Sequence, residues 1–295
     1  MHFDNLDTIS VAIIGAGRVG TALAMALNRK GLAISAVVSR SKSSAADCAS
    51  KVNCPIYSDQ LASLPEEAQA IFVTTPDASL ASIASRLKKL PIDFRDKFIA
   101  HTSGLCTSEV LESIRSKGAL TASIHPIQTF ADNKEDWQKF AGIFFGIEGQ
   151  PKALEICKRF AGLLSANYVT VTKEVKPLYH AACVFTSNYL VALMSVPAML
   201  FEKLDFSEHD SARYLQPLLE GTIDNIKKMG IANALTGPIA RGDVGTIERH
   251  LETLRENFPE FIPLYSSLGM QALALARDGN RIDGGMVDRI QALLA

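Results

Sequence analysis

Val11-Ala12-Ile13-Ile14-Gly15-Ala16-Gly17-Arg18-Val19-Gly20 is the stretch on which the reading of this chain turns. A short β-branched run enters a glycine triplet spaced G-x-G-x-x-G, and an amphipathic segment, Val19–Lys30, follows it. Strand, tight turn and helix in that order open a βαβ unit. In such a unit Gly15 permits the turn, Gly17 lets a ligand approach the backbone, and Gly20 lets the helix pack on the strand. The amides from Ala16 through Arg18 and Val19 then face an anion such as a pyrophosphate. A glycine triplet alone is weak, because glycine turns are common. Its place between strand and helix gives it meaning.

Outward from this motif, apolar runs alternate with helix-like segments as far as residue 172. The runs are Val11–Gly15, Ile34–Ser39, Ala70–Thr75, Lys97–His101, Ala122–His125, Ile143–Ile147 and Tyr168–Thr172. Between several of them lie Val19–Lys30, Ser43–Lys51, Leu80–Leu90, Ser108–Lys117 and Lys152–Ala166. Apolar runs without strict alternation predict strands covered on both faces, hence an α/β fold with a doubly wound, mostly parallel sheet of Rossmann type. After Thr172 only helical patterns remain: Pro177–Leu204, Ser207–Met229, Val244–Asn257, Pro259–Asp278 and Gly285–Ala295. The division expected is a nucleotide-binding domain over 1–172 and an all-helical substrate and dimerisation domain over 173–295.

Composition narrows the class. The 295 residues are 47% apolar and 21% charged with a net charge of −1, which fits a soluble globular protein and advertises neither nucleic acid nor an anionic membrane as partner. Five cysteines lack CxxC spacing, so neither a disulfide framework nor a zinc site is expected. Met1–Ser10 carries Asp4 and Asp7 and no apolar signal core. A cytoplasmic location follows as the expectation. Pro177–Phe201 has no Asp, Glu, Lys or Arg and is long enough to span a bilayer. Its His180, Thr186, Ser187, Asn188 and two prolines point instead to the centre of a helical domain or a dimer interface.

The end of the second strand run selects the nucleotide. An NAD-binding domain places a carboxylate there for the ribose 2′-hydroxyl, whereas this chain has Ser39-Arg40-Ser41. A carboxylate would repel a 2′-phosphate and Arg40 would bind it, so NADP is the expected cofactor. Thr74-Thr75-Pro76-Asp77 and His101-Thr102-Ser103-Gly104 end later strands and are expected to line the same crevice, with helix capping as the other role open to Asp77.

For the chemistry, Lys176 enters a long uncharged helix, with His180 about 40° and Ser187 about 20° from it around the axis and Cys183 about 20° to the other side. A polar stripe in such a helix must face a partner, a cavity or a ligand. Lys176 or His180 is thus a candidate proton donor, and Ser187 a candidate substrate contact. Asn188, about 120° around the helix, and Ser103 are candidates to orient a substrate. His125, ending another strand, is a further donor candidate, with a proline-fixed turn as its other reading. In the loop Leu235–Asp243, Arg241 offers a fork for a substrate carboxylate, while Asp243 suits a helix N-cap.

Together the Gly15–Gly20 turn, Ser39-Arg40, His101–Gly104, His125–Gln128, Tyr179–Ala182, Ser187-Asn188 and Leu235–Asp243 resemble a family that pairs a Rossmann-like NADP-oxidoreductase domain with a helical domain of unknown function. That family is similar to the wider 6-phosphogluconate dehydrogenase-like superfamily, with ketopantoate reductase, pyrroline-5-carboxylate reductase and prephenate dehydrogenase. The resemblance implies hydride transfer to or from a small carbonyl or imine compound, with a homodimer formed through the helical domain. Ketopantoate reductases carry Asn four residues after the lysine that Lys176 matches; His180 stands there instead. A cofactor-binding sensor that catalyses nothing is the alternative.

Overall fold

The computed structural model describes residues 3, 6–131 and 135–295; Asp4, with Met1, His2 and Asn5 of the same leader stretch, lies outside them. The chain forms two compact units, Met1–Tyr189 and Leu190–Ala295.

The first unit is built on an eight-stranded sheet of β1 (Ser10–Ile14), β2 (Ala33–Val38), β3 (Ile56–Ser58), β4 (Ala70–Val73), β5 (Phe98–His101), β6 (Leu120–Pro126), β7 (Phe144–Gly149) and β8 (Asn167–Thr170), in the order β3-β2-β1-β4-β5-β6-β7-β8. Alternation along each strand divides the core. Val11 and Ile13 pack with Phe72, Phe98 and Phe160 on one face, and Ala12 and Ile14 with Ile71, Val73 and Leu80 on the other. Both faces are therefore apolar, as the near-continuous runs predicted. Helices α1 (Arg18–Arg29), α2 (Lys42–Lys51), α3 (Asp77–Leu87), α4 (Glu112–Arg115), α5 (Pro151–Leu163) and α6 (Lys176–Thr186) complete the unit.

Two features were not anticipated. The three-residue β3, only half-buried, extends the sheet beyond β2 in parallel. Strand β7 runs antiparallel to β6, placing Gly146 opposite His125.

The strand order reverses direction at β1, flanked by β2 and β4. Because β1, β4, β5 and β6 pair in parallel, their carboxyl ends share one edge of the sheet. Ligands of doubly wound sheets bind in the crevice at such a reversal.

The second unit is helical. Helix α7 (Asn188–Glu202) leads into it, followed by α8 (Glu208–Met229), α9 (Ile231–Ala234), α10 (Pro238–Arg241), α11 (Val244–Asn257), α12 (Ile262–Asp278) and α13 (Gly284–Leu294). Its core is small: Val244, Ile247 and Leu251 of α11 pack with Leu273 of α12 and with Ile290 and Leu294 of α13. Helix α7 buries no side chain, and Val191 on it and Leu218 on α8 are 73% and 69% exposed.

The segment expected as one helix over Pro177–Leu204 is interrupted. Ser187 ends α6, and α7 starts at Asn188, so the angles computed across Ser187 do not carry over. Lys176–Glu202 spans 27 residues and holds an 18-residue window of mean hydropathy 1.6, long and apolar enough to cross a membrane. Its first residue is nevertheless tied by hydrogen bonds to the sheet of the first unit.

Candidate functional site

At the reversal point the three glycines meet different surroundings. Gly15 sits at φ +109°, a conformation that glycine adopts without strain, and a Cβ there would lie 2.9 Å from the Thr74 carbonyl carbon. At Gly20 a Cβ would collide with the Gly15 carbonyl oxygen and the Thr74 hydroxyl. Gly17 is the opposite case: a Cβ would meet no atom within 4 Å. Gly17 is also the N-cap of α1, where no side-chain hydrogen bond takes up the first amides of the helix, and it lines a cleft. Thr74 fixes the turn from β4, its hydroxyl donating to the Gly15 carbonyl at 2.6 Å.

The turn forms one end of a cleft of about 770 Å³. Ala16, Ser39, Arg40, Ser41, Thr75 and Pro76 line it. Thr75 carries one of three buried side-chain oxygens without a hydrogen-bond partner among the described residues. A buried hydroxyl in that state calls for a ligand or water. Ser41 has a second duty: it caps α2, accepting from the Ser44 amide at 3.2 Å. Arg18 is an exposed first residue of α1, Val19 is half-buried against the apolar side of the sheet, and the Thr102 amide donates to the Val73 carbonyl at 3.2 Å. The open helix terminus, the unpartnered Thr75 hydroxyl and Arg40 fit a phosphate-bearing dinucleotide.

Further along the same sheet edge, the side chains expected to carry chemistry separate into two groups. Lys176 is 1% exposed; its ammonium donates to the Ser123 hydroxyl at 2.7 Å and the Ser103 carbonyl at 3.2 Å. No carboxylate pairs with it among the described residues, and burial lowers its pKa. Ser103 is fully engaged, its hydroxyl donating to Asp77 at 2.8 Å and accepting the Leu105 and Cys106 amides. Asp77 therefore anchors this loop, and no side chain caps α3.

His101, the last residue of β5 before that loop, is completely buried. Its Nδ1 accepts from the Ser103 amide, leaving Nε2–H to donate to the Thr107 carbonyl at 3.1 Å. Burial holds its pKa down at about 4, against 6.5 for the unhindered group. Between those values the unfolded chain binds a proton that the folded chain refuses, so stability is fully present above pH 6.5 and is lost as pH falls through 4. A shift from 6.5 to about 4 corresponds to about 3 kcal/mol. His101→Gln should accordingly flatten the fall in unfolding free energy between pH 7 and 4, read by urea denaturation; an unchanged slope would refute this role.

The second group is a ring cluster. His125 Nδ1 lies 2.6 Å from the Tyr179 hydroxyl, and the His125 and His180 ring centroids are 6.1 Å apart. Burial first, then the Lys176 and His180 charges, holds the His125 pKa at about 4. Burial raises that of Tyr179, so the phenol keeps its proton. With the phenol donating to Nδ1, the neutral imidazole carries its hydrogen on Nε2; with the other tautomer, Nδ1–H donates to the phenol oxygen. Two glycines make room for these rings: a Cβ at Gly104 would lie 2.5 Å from His180 and 3.0 Å from His125 Nε2, and one at Gly146 would collide with the Tyr179 hydroxyl. Tyr179 is the member that reading by sequence did not single out.

Ser187 is the C-cap of α6, and Asn188 is exposed. Arg241 is an exposed residue of the second unit, ending α10. Asp243 caps α11, accepting from the Thr246 amide at 3.1 Å.

Residues 5–126 match the model of a Rossmann-like domain, and residues 143–272 match DUF2520, a domain of unknown function. The chain pairs a Rossmann-like domain with a DUF2520 domain. The glycine turn and the cleft lie in the Rossmann-like part, whereas Lys176, Tyr179 and His180 belong to the DUF2520 segment, whose match begins beside β7. A candidate NADP oxidoreductase from Bacteroides fragilis is similar over 92% of this chain and 100% of its own, at 27% identity and a TM-score of 0.76. A Thermotoga maritima protein is also 27% identical, over 92% and 99%, with a TM-score of 0.73. The fold alone is shared with a Plasmodium falciparum pyrroline carboxylate reductase solved with NADP, at 12% identity over 99% and 100% and a TM-score of 0.60. No protein with a curated description matches the chain.

Proposed function

We propose that this Rossmann-like/DUF2520 protein is an NADP(H)-dependent oxidoreductase acting on a small carbonyl or imine compound. The observation that carries the reading is the uncapped start of α1 at Gly17, open to a ligand, beside the buried and unpartnered Thr75 hydroxyl. The Bacteroides fragilis relative is itself described as a candidate NADP oxidoreductase. Bound nucleotide would supply the hydride.

The chain's own residues divide the remaining work. The α1 amides hold the pyrophosphate, and Arg40 takes the 2′-phosphate. His125 presents Nε2–H as a neutral donor to the oxygen or nitrogen that gains charge, with Tyr179 fixing the tautomer. His180 lines the other side of that donor. Lys176 holds the loop after β5 against the middle of β6 through the Ser103 carbonyl and the Ser123 hydroxyl. The uncovered apolar residues of α7 and α8 suit a second copy of the chain, giving a homodimer.

The test is titration with NADPH and NADH followed by thermal unfolding. At NADPH about 100-fold above its Kd, the folded state gains about 2.7 kcal/mol, and NADH at the same concentration gives less. NADPH oxidation is then measured against a panel of carbonyl and imine compounds. Failure to bind either nucleotide rejects the proposal. Binding without turnover of any compound rejects the catalytic half and leaves a nucleotide-binding protein.

A further inference from the structure

The cleft has a second arginine. Ala78, Ser79, Ser82, Ile83 and Arg86 all line it. Steps of three and four residues place them on one face of α3, which therefore forms a wall of the cleft. Near the start of the helix that wall is made of small side chains; toward its end it closes with Arg86. Arg40 lines the same cleft from a different element, the segment after β2, with Ser39 and Ser44. Asp59, at the end of β3, is the remaining charged residue in the lining, so the cleft carries one net positive charge. Its carboxylate already accepts from the Gln60 side-chain amide at 3.2 Å. Both guanidinium groups are exposed, and neither enters an ion pair among the described residues.

We infer that Arg86 is a specificity-determining residue, and that it and Arg40 grip the 2′-phosphoryl group of the nucleotide from two elements lining one cleft. The inference rests on the dinucleotide reading above and adds the residue that completes the selection. Sheet order supports it. With the pyrophosphate on the α1 terminus at β1, the adenosine half extends toward β2 and β3, where Arg40 and Asp59 stand. A dianionic phosphate there meets two forks that each offer paired N–H donors. One arginine alone would also face Asp59. A cation in the last turn of α3 also suits the helix dipole, a role that gives no preference between nucleotides.

The test uses the full chain and direct binding. Wild type, Arg86→Ala, Arg86→Lys and Arg40→Ala proteins are titrated with NADPH, NADH and 2′,5′-ADP by calorimetry, with melting temperatures recorded alongside. Arg86→Ala should weaken NADPH and 2′,5′-ADP about tenfold or more and leave NADH unchanged. Arg86→Lys should recover only part of the loss, since an ammonium lacks the bidentate fork. Unchanged NADPH affinity in Arg86→Ala overturns the inference. So does an equal loss for NADPH and NADH, which would mean contact with the shared part of the nucleotide. A wild type that binds neither nucleotide rejects the oxidoreductase reading itself, an outcome separate from these.

Discussion

Gly17→Val is expected to remove nucleotide binding while leaving the protein folded. A Cβ at residue 17 meets nothing within 4 Å, and the backbone there is at φ −82°, which any residue accepts. Stability should hold to within about 0.5 kcal/mol, as at ordinary surface positions. The added methyl groups occupy the space through which phosphate oxygens reach the α1 amides. Losing even two charge-assisted hydrogen bonds costs roughly 3 kcal/mol, or about 100-fold in NADPH affinity. Gly20→Ala should do the reverse. Its Cβ collides with a backbone carbonyl that cannot swing away, so the melting temperature falls with a cost of about 3 kcal/mol or more. Calorimetric titration and thermal melts on the two variants separate the effects. If Gly17→Val bound NADPH as wild type does, the phosphate site would lie elsewhere.

The second large effect concerns the ring cluster. On a panel compound that the wild type reduces, His125→Ala should lower kcat by about 10²- to 10³-fold, the loss typical of one donor aimed at developing charge. Tyr179→Phe leaves the imidazole in place and frees its tautomer, for an expected loss of about tenfold. Dependence on pH tells this role from that of an imidazolium acid. With its pKa near 4, His125 is neutral throughout pH 5.5–8, so turnover should show no His125 ionisation in that range. The opposing result is a wild-type kcat that falls tenfold per pH unit above 6.5, with the dependence abolished in His125→Asn.

What could be read from the sequence was what lies close along the chain. The Gly15–Gly20 turn, the first strand and the α1 start are contiguous, and the physics that shapes the turn is local. Ser39 and Arg40 stand out because they end an apolar run. Strand β3 escaped because three half-buried residues leave no periodic trace. The reversed direction of β7 escaped because pairing sense is set by neighbours and not by the run itself. Tyr179 meets its partner across 54 residues. The available signals were Gly104 and Gly146, glycines in or just beyond strands where rings need space. Arg86 had a trace as well, in the small residues Ala78, Ser79 and Ser82 repeating at helical spacing before it. Ser187 misled by the reverse route: a composition uniform enough for one helix hid the break that separates α6 from α7.

Lys176 shows what the first unit gives up. Its amine is enclosed against a carbonyl and a hydroxyl and forms no ion pair among the described residues, Glu148 and Asp77 acting on it only through space, in a volume that a methionine of similar length would fill without desolvating a charge. Ser103 and Ser123 would lose little by that exchange, because the Ser123 hydroxyl already donates to the Ser103 carbonyl. The position thus holds a costlier side chain than the fold requires. A fold maintained only for its resistance to melting would be under steady pressure to lose that nitrogen.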